Sequence, residues 1–206
     1  MEQSQLKEIS IIPANIDDAD IAAKLTLMAY KDFAYEMLGC KKENDVLEYF
    51  KKLWLLKNNR FSYEYSYTAK VDEKTVGLLV CHTGNLCKKL VSPTVFQLIK
   101  IGKLNFIYHI LKNIRYFYHF SFTIEAMEDE FYIGTLAVLP EYRNYGIGAE
   151  MINFMKMLAQ KQGYNKCSLL VEGDNIDGIR FYEKNGFEKV LHSKKPREYY
   201  RVVNTF

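Results

Sequence analysis

One stretch constrains this chain more than any other: LAVLPEYRNYGIGAEM, Leu136–Met151, an apolar run stopped by proline, then a short polar loop and two glycines at the opening of a helix. Glu130 to Val138 alternates as a strand, and Leu139-Pro140 ends it because proline cannot donate to a sheet ladder. Gly148 to Gln162 carries Met151, Met155, Leu158 and Ala159 on one helical face, and Gly163 stands just past the helix end. A strand feeding directly into an amphipathic helix calls for a layered fold with helices packed on a sheet. The helix start also leaves backbone N–H groups unpaired and carries about half a positive charge, which suits anionic oxygens. Gly146 and Gly148 let such oxygens approach the backbone, and Arg143 adds a positive charge. The string is no P-loop, which ends Gly-Lys-Ser/Thr, and no GxGxxG dinucleotide fingerprint, because Met151 takes the third glycine position. It points to a phosphate-bearing ligand of another kind. Taken alone, it also fits two glycines that serve only the backbone turn.

The other elements follow from periodicity and breakers. Ile9 to Ile12 is a short strand, and Asp17, Asp18 and Asp20 precede a helix carrying Ile21, Leu25 and Met28. Val46, Phe50, Leu53 and Trp54 mark a second helix, ended by Asn58-Asn59. Tyr63, Tyr65, Tyr67 and Ala69 alternate up to a turn at Asp72 to Lys74, and Thr75 to Cys81 resumes as a nearly all-apolar strand, so the pair reads as a hairpin with a central second strand. Cys167 to Val171 is a buried strand, Asn175 to Asn185 a short helix closed by Gly186, and Phe187 to His192 and Tyr199 to Val203 are two last strands. Thr83 to Ile124 holds no Asp or Glu and six Lys or Arg among Ile, Leu, Phe and Tyr, with breaks expected at Pro93 and Gly102. There Phe96, Ile99, Lys103, Phe106, Ile107, Ile110, Leu111 and Ile114 keep a helical spacing, predicting one or two helices with a wide apolar face.

Composition narrows the class. With 206 residues, 49% of them hydrophobic, and only four prolines and eleven glycines, the chain can bury a real core and is not a linker, a collagen or a disordered tail. A net charge of +3 is too weak to imply nucleic acid. Cys40, Cys81, Cys87 and Cys167 lack CxxC or Cys/His clustering, so they read as free thiols, with no metal site. The start MEQSQLKEIS has neither the basic residues nor the apolar run of a secretory leader, and no stretch reaches a membrane span; a cytoplasmic location fits.

A second string, NIDGIRFYEKNGFEKV at Asn175 to Val190, begins 27 residues after Gly148. With both strings in this order, the chain resembles the GNAT superfamily of acetyl-CoA-dependent N-acetyltransferases, strongly from Phe131 to Phe187 and in element order through the earlier helices and hairpin. The resemblance fails over Thr83 to Ile124. It implies a mixed α/β fold with a mostly antiparallel central sheet flanked by helices, and a helical insertion between the third and fourth strands. It implies one domain over residues 1–206, with the insertion at about 84–122.

Residue by residue, the resemblance puts Leu136, Ala137 and Val138 where strand backbone meets the acetyl carbonyl and pantetheine amides. It puts Arg143, Asn144, Tyr145, Gly146, Ile147, Gly148 and Ala149 at the pyrophosphate, and Asn175 on the asparagine near the pantetheine arm. Tyr182 falls on the tyrosine that protonates the departing thiolate. Gly178 departs from the alanine more often found there, at a cost of ~1 kcal/mol in helix propensity. The family's occasional catalytic glutamate is replaced by Tyr132, so the base is unassigned. Strand alternation puts Glu130 on the Tyr132, Gly134, Leu136 and Val138 face, and Glu172 at the neighbouring strand end is its rival; either also reads as a solvated strand-end charge. His82, His109, His119 and His192 read as core or surface residues rather than bases.

The implied function is transfer of an acetyl group from acetyl-CoA, as cosubstrate, to a primary amine of unspecified identity, on a small molecule or a peptide. The competing class is an acyl-CoA-binding sensor or interaction module without turnover. For the insertion three readings stand: a packed helical cover with Lys100, Lys103, Lys112 and Arg115 in solvent; an acceptor-site wall supplying Tyr108, Tyr116 and Tyr118; and, least favoured, a basic amphipathic surface touching anionic membrane. The oligomeric state is open, a homodimer included.

Overall fold

A computed structural model of the chain describes residues 8–121, 123–194 and 197–206. The leader-free reading of the N-terminus falls largely on residues 1–7, outside the described residues. The elements run β1 (Ile9–Pro13), α1 (Ala19–Tyr30), α2 (Asp32–Leu38), α3 (Glu43–Leu55), β2 (Ser66–Val71), β3 (Lys74–Thr83), α4 (Gly84–Lys112), α5 (Ile114–Ser121), β4 (Phe131–Val138), α6 (Ile147–Lys161), β5 (Lys166–Glu172), α7 (Ile176–Lys184), β6 (Glu188–Ser193) and β7 (Tyr199–Thr205). The strands follow the order β1-β2-β3-β4-β5-β7-β6 in a seven-stranded sheet. β1 with β2, β2 with β3, β5 with β7 and β6 with β7 are antiparallel, while β4 with β5 is parallel. The mixed, mostly antiparallel sheet expected from the sequence is therefore present, with α4 and α5 between the third and fourth strands.

The chain forms two compact units. The first runs to Val80 and takes in Thr135–Phe154; the second comprises Cys81–Gly134 and Met155–Phe206. In the first, β2 and β3 form the expected hairpin through Asp72 and Glu73, both at positive φ (50° and 62°), as a two-residue hairpin turn requires. Tyr63–Tyr65 is a 3-10 turn rather than strand, because the Ser62 hydroxyl accepts the Glu64 N–H at 3.2 Å and bends the chain locally. Of the first helix's predicted face only Leu25 is fully buried; Ala22, Ala23 and Thr26 join it inside. All four residues predicted for the second helix, Val46, Phe50, Leu53 and Trp54, are buried, and Trp54 Nε1–H donates to the Asn15 carbonyl at 3.0 Å. The additional helix α2 was not legible, since its seven residues are too few to show a period. Gly77 is where α6 comes down on the sheet: a Cβ there would lie 2.9 Å from Met151 sulfur and 3.3 Å from the Ala137 carbonyl oxygen.

In the second unit β5 is the central buried strand and β6 an exposed edge. The insertion departs from expectation in two ways. Pro93 lies inside α4 without breaking it, and the break falls at Lys103 (φ 51°, ψ −138°), beside rather than at Gly102. The buried face of α4 is Gly84, Cys87, Leu90, Thr94, Leu98 and Phe106, so most of the predicted apolar face, including Phe96, Ile107, Leu111 and Ile114, is exposed. All four cysteines are free thiols; burial pushes Cys81 well up and Cys167 to about 12, so neither is a ready nucleophile.

The end of α3 yields the first prediction. The fully buried Asn59 side chain donates to the carbonyls of Leu53 (2.8 Å) and Leu56 (2.9 Å) and accepts the Phe61 N–H (2.8 Å). Asn59→Ala removes all three bonds, while the Leu53 carbonyl keeps the Leu56 N–H, and should cost about 2–4 kcal/mol in urea unfolding, whereas exposed Lys57→Ala should stay within about 0.5 kcal/mol.

Candidate active site

The first unit contains the loop singled out by sequence. β4 alternates buried Thr135 and Ala137 with half-buried Leu136 and Val138. The Leu139 N–H donates to the Val76 carbonyl at 2.8 Å, holding the strand end to β3, and Pro140–Tyr142 makes one 3-10 turn with Lys74 over the Tyr142 ring. Arg143 folds back so that its Nε–H donates to the Val138 carbonyl at 3.1 Å. Asn144 (φ 66°) and Gly146 (φ 83°) then take left-handed backbone. α6 starts at Ile147, one residue earlier than predicted, and its Glu150 N–H donates to the Gly146 carbonyl at 3.0 Å. The N–H groups of Ile147, Gly148 and Ala149 precede that bond and have no acceptor within the helix. Buried Ile147 anchors the turn, while Arg143, Asn144, Tyr145 and Gly146 are exposed. This is an anion-receptive helix start with a cation five residues from the strand carbonyl it holds.

The second unit contains the two strand-end glutamates, Asn175 and Tyr182. Glu130 precedes β4 rather than lying in it, and it is not solvated: its side chain is 5% exposed, against 7% for Arg201. Arg201 Nη2 donates to both carboxylate oxygens, and the Met127 N–H adds a 2.8 Å bond. Burial pulls the carboxyl upward, but bonds from Arg201, the Met127 amide and Ser168 outweigh it and hold the group below its ordinary range. A carboxylate so engaged is a weak proton acceptor at neutral pH. Glu172, half-buried at the end of β5, lies 3.0 Å from Arg197 Nη2.

Asn175 caps α7, its Oδ1 accepting the Gly178 N–H at 3.2 Å. The unexpected glycine has a reason here, since a Cβ at 178 would lie 2.5 Å from Asn175 Nδ2. Tyr182 retains some exposure as a residue. Its ring sits against Phe181 and Phe187 at 5.3 and 5.6 Å, and burial of its hydroxyl pushes the phenol far above its ordinary range, keeping it protonated. Tyr132 stacks on His82 at 5.6 Å, both buried.

Sequence reading missed Arg201 and Ser168 as partners of Glu130. The one available signal was a lone arginine in the apolar alternation of the last strand. An open groove of about 330 Å³ lined by Asp20, Ala23, Asn44, Leu47, Glu48 and Lys51 lies on α1 and α3, which carry none of the candidate residues.

Residues 30–187 match the acetyltransferase (GNAT) family model. N-alpha-acetyltransferase 50 of Danio rerio is 38% identical over 73 residues, 35% of this chain and 42% of that protein. The chain spans between 38% and 62% of the length of the curated relatives it matches. An N-acetyltransferase structure from Staphylococcus aureus Mu50 aligns with TM-score 0.72 at 21% identity, over 94% of this chain and 99% of that one. Arabidopsis thaliana Naa50, in complex with the bisubstrate analogue CoA-Ac-MVNAL, aligns with TM-score 0.55 at 20% identity, over 96% and 99%. At these identities the structures speak to the fold.

The Glu130 environment gives the second prediction. Glu130→Gln keeps the shape but leaves Arg201 buried without its counter-charge, and should cost about 3–5 kcal/mol. Because the folded carboxyl is lowered, its stabilisation is complete above the unfolded value of about 4.3 and is lost as pH falls through the folded value. Urea unfolding across pH 3–7 should show a steeper acid loss in wild type than in Glu130→Gln; equal slopes would assign the acid loss to other carboxylates.

Proposed function

Because the chain belongs to the acetyltransferase (GNAT) family, we propose that it transfers an acetyl group from acetyl-CoA to a primary amine by direct attack. The observation that carries this reading is the helix start of α6, where consecutive N–H groups, a left-handed glycine and Arg143 suit a pyrophosphate. Bound acetyl-CoA supplies a thioester carbon for the amine to attack and a thiolate to leave. The backbone of Leu136 to Val138 would orient the acyl arm, and its N–H groups would meet negative charge developing on the carbonyl oxygen. Tyr182, held protonated by burial, would give its proton to the departing sulfur. Asn175 would have to leave its cap, or offer Nδ2, to meet the pantetheine arm.

Of the two glutamates, we assign the amine proton to Glu172 or water, and read Glu130 as structural because Arg201 occupies its carboxylate. That occupancy is also what favours the second reading, an acyl-CoA-binding module without turnover. The analogue CoA-Ac-MVNAL held by the Arabidopsis protein makes a peptide α-amine the first acceptor to test, followed by small amines. Among the described residues no helix is long and apolar enough to cross a membrane, and we take the setting to be cytoplasmic.

Release of free thiol from acetyl-CoA, dependent on an added amine, is expected; tight CoA binding with no turnover across a broad panel would favour the binding module. Tyr182→Phe should lower turnover roughly 10²- to 10⁴-fold with little change in acetyl-CoA affinity. Gly148→Val should weaken CoA binding, measured by calorimetry, by crowding the helix start. Arg143→Ala should weaken it roughly 10- to 100-fold through loss of a charged contact.

A further inference from the structure

The second segment of α4, beyond the break at Lys103, turns its apolar side outward. Leu104, Ile107, Tyr108 and Leu111 fall at i, i+3, i+4 and i+7, the spacing of one helical face, and all four are exposed, Leu104 at 79%, Tyr108 at 67% and Leu111 at 65%. Phe106, on the opposite side of the same turns, is the buried residue of this segment. Exposure of large apolar side chains continues on α5 at Ile114 and Tyr118. Isolated exposed leucines are ordinary, but a run in helical register is not.

Charge decides what fits this face. From Thr83 to Ile124 there is no acidic residue, and Lys100, Lys103, Lys112 and Arg115 accompany the stripe. Lys100 Nζ sits 4.4 Å from the centroid of the exposed Phe96 ring. A second copy of the chain would bring two such acid-free cationic faces together, at a repulsive cost. A nucleic acid would satisfy the cations and leave the aliphatic stripe in water. An anionic bilayer surface satisfies both, taking the apolar side chains at the headgroup boundary and the cations among its phosphates. We propose that Leu104–Tyr118 is an interfacial anchor that seats the protein on anionic phospholipid membrane. No helix among the described residues is long and apolar enough to span, so the association is peripheral and reversible.

Flotation with vesicles tests this, using phosphatidylcholine alone and phosphatidylcholine with about 30 mol% phosphatidylserine, at low and at about 0.5 M salt. The full chain should float with the anionic vesicles at low salt, and much less with neutral vesicles or at high salt. Leu104→Ser with Leu111→Ser, at two exposed positions, should lower partitioning about 10-fold or more with the melting temperature unchanged. Lys103→Glu with Lys112→Glu should do the same by a separate route. Equal partitioning on neutral and anionic vesicles, or wild-type partitioning in both double variants, would overturn the anchor. So would a dimer in sedimentation that Leu104→Ser dissolves, since the face would then cover a second copy.

Discussion

The buried ion pair between Glu130 and Arg201 organises the second unit. Its two partners stand 71 residues apart and between them tie the start of α4, the Met127 turn and β7. The Glu130 carbonyl accepts the Gly84 N–H that opens α4, its carboxylate takes the Met127 amide, and Arg201 brings in β7. Gly84 is required beneath this corner, where a Cβ would fall 1.8 Å from the Met127 carbonyl oxygen. Such a pair contributes little net stability over an apolar replacement, because both charges give up water, but removing one partner strands the other. It therefore specifies one arrangement of strands more than it strengthens it.

That arrangement also bears on the chemistry. A glutamate directly before β4 invites the role of base, and burial alone would raise its pKa toward that role. The bonds from Arg201, Met127 and Ser168 reverse the sign. In the proposed reaction, proton removal from the amine would then pass to Glu172 or to water, while the groups that would meet the coenzyme are backbone N–H groups of β4 and α6. Backbone donors need no particular side chain, which is consistent with an exposed Asn144 and Tyr145 just before the two glycines. What the proposed role would need is left-handed backbone at Gly146, which takes φ 83°, and close approach to the Gly148 backbone.

The inserted helices follow different rules. Between a hairpin and a strand, the chain has room for a segment whose packing is only half specified, and α4 uses one face on each side of Lys103 to different ends. Its first part buries Cys87, Leu90, Thr94 and Leu98. Its second part leaves Leu104, Ile107 and Leu111 exposed, the face proposed to meet an anionic membrane.

Much of this was legible from the amino-acid order alone. Strand, loop and helix around Gly146, the hairpin turn at Asp72-Glu73 and the buried face of α3 all rest on contacts within about four residues or on a period of 2 or 3.6, which a sequence displays directly. The two recognition strings, and hence the family, are local in the same sense. The tertiary structure alone decided that Glu130 is buried rather than solvated, and which side of α4 faces water. Each depends on a partner far away in the chain or on a surface that another element does or does not cover, and periodicity shows that a helix has an apolar face without showing whether anything in the fold meets it.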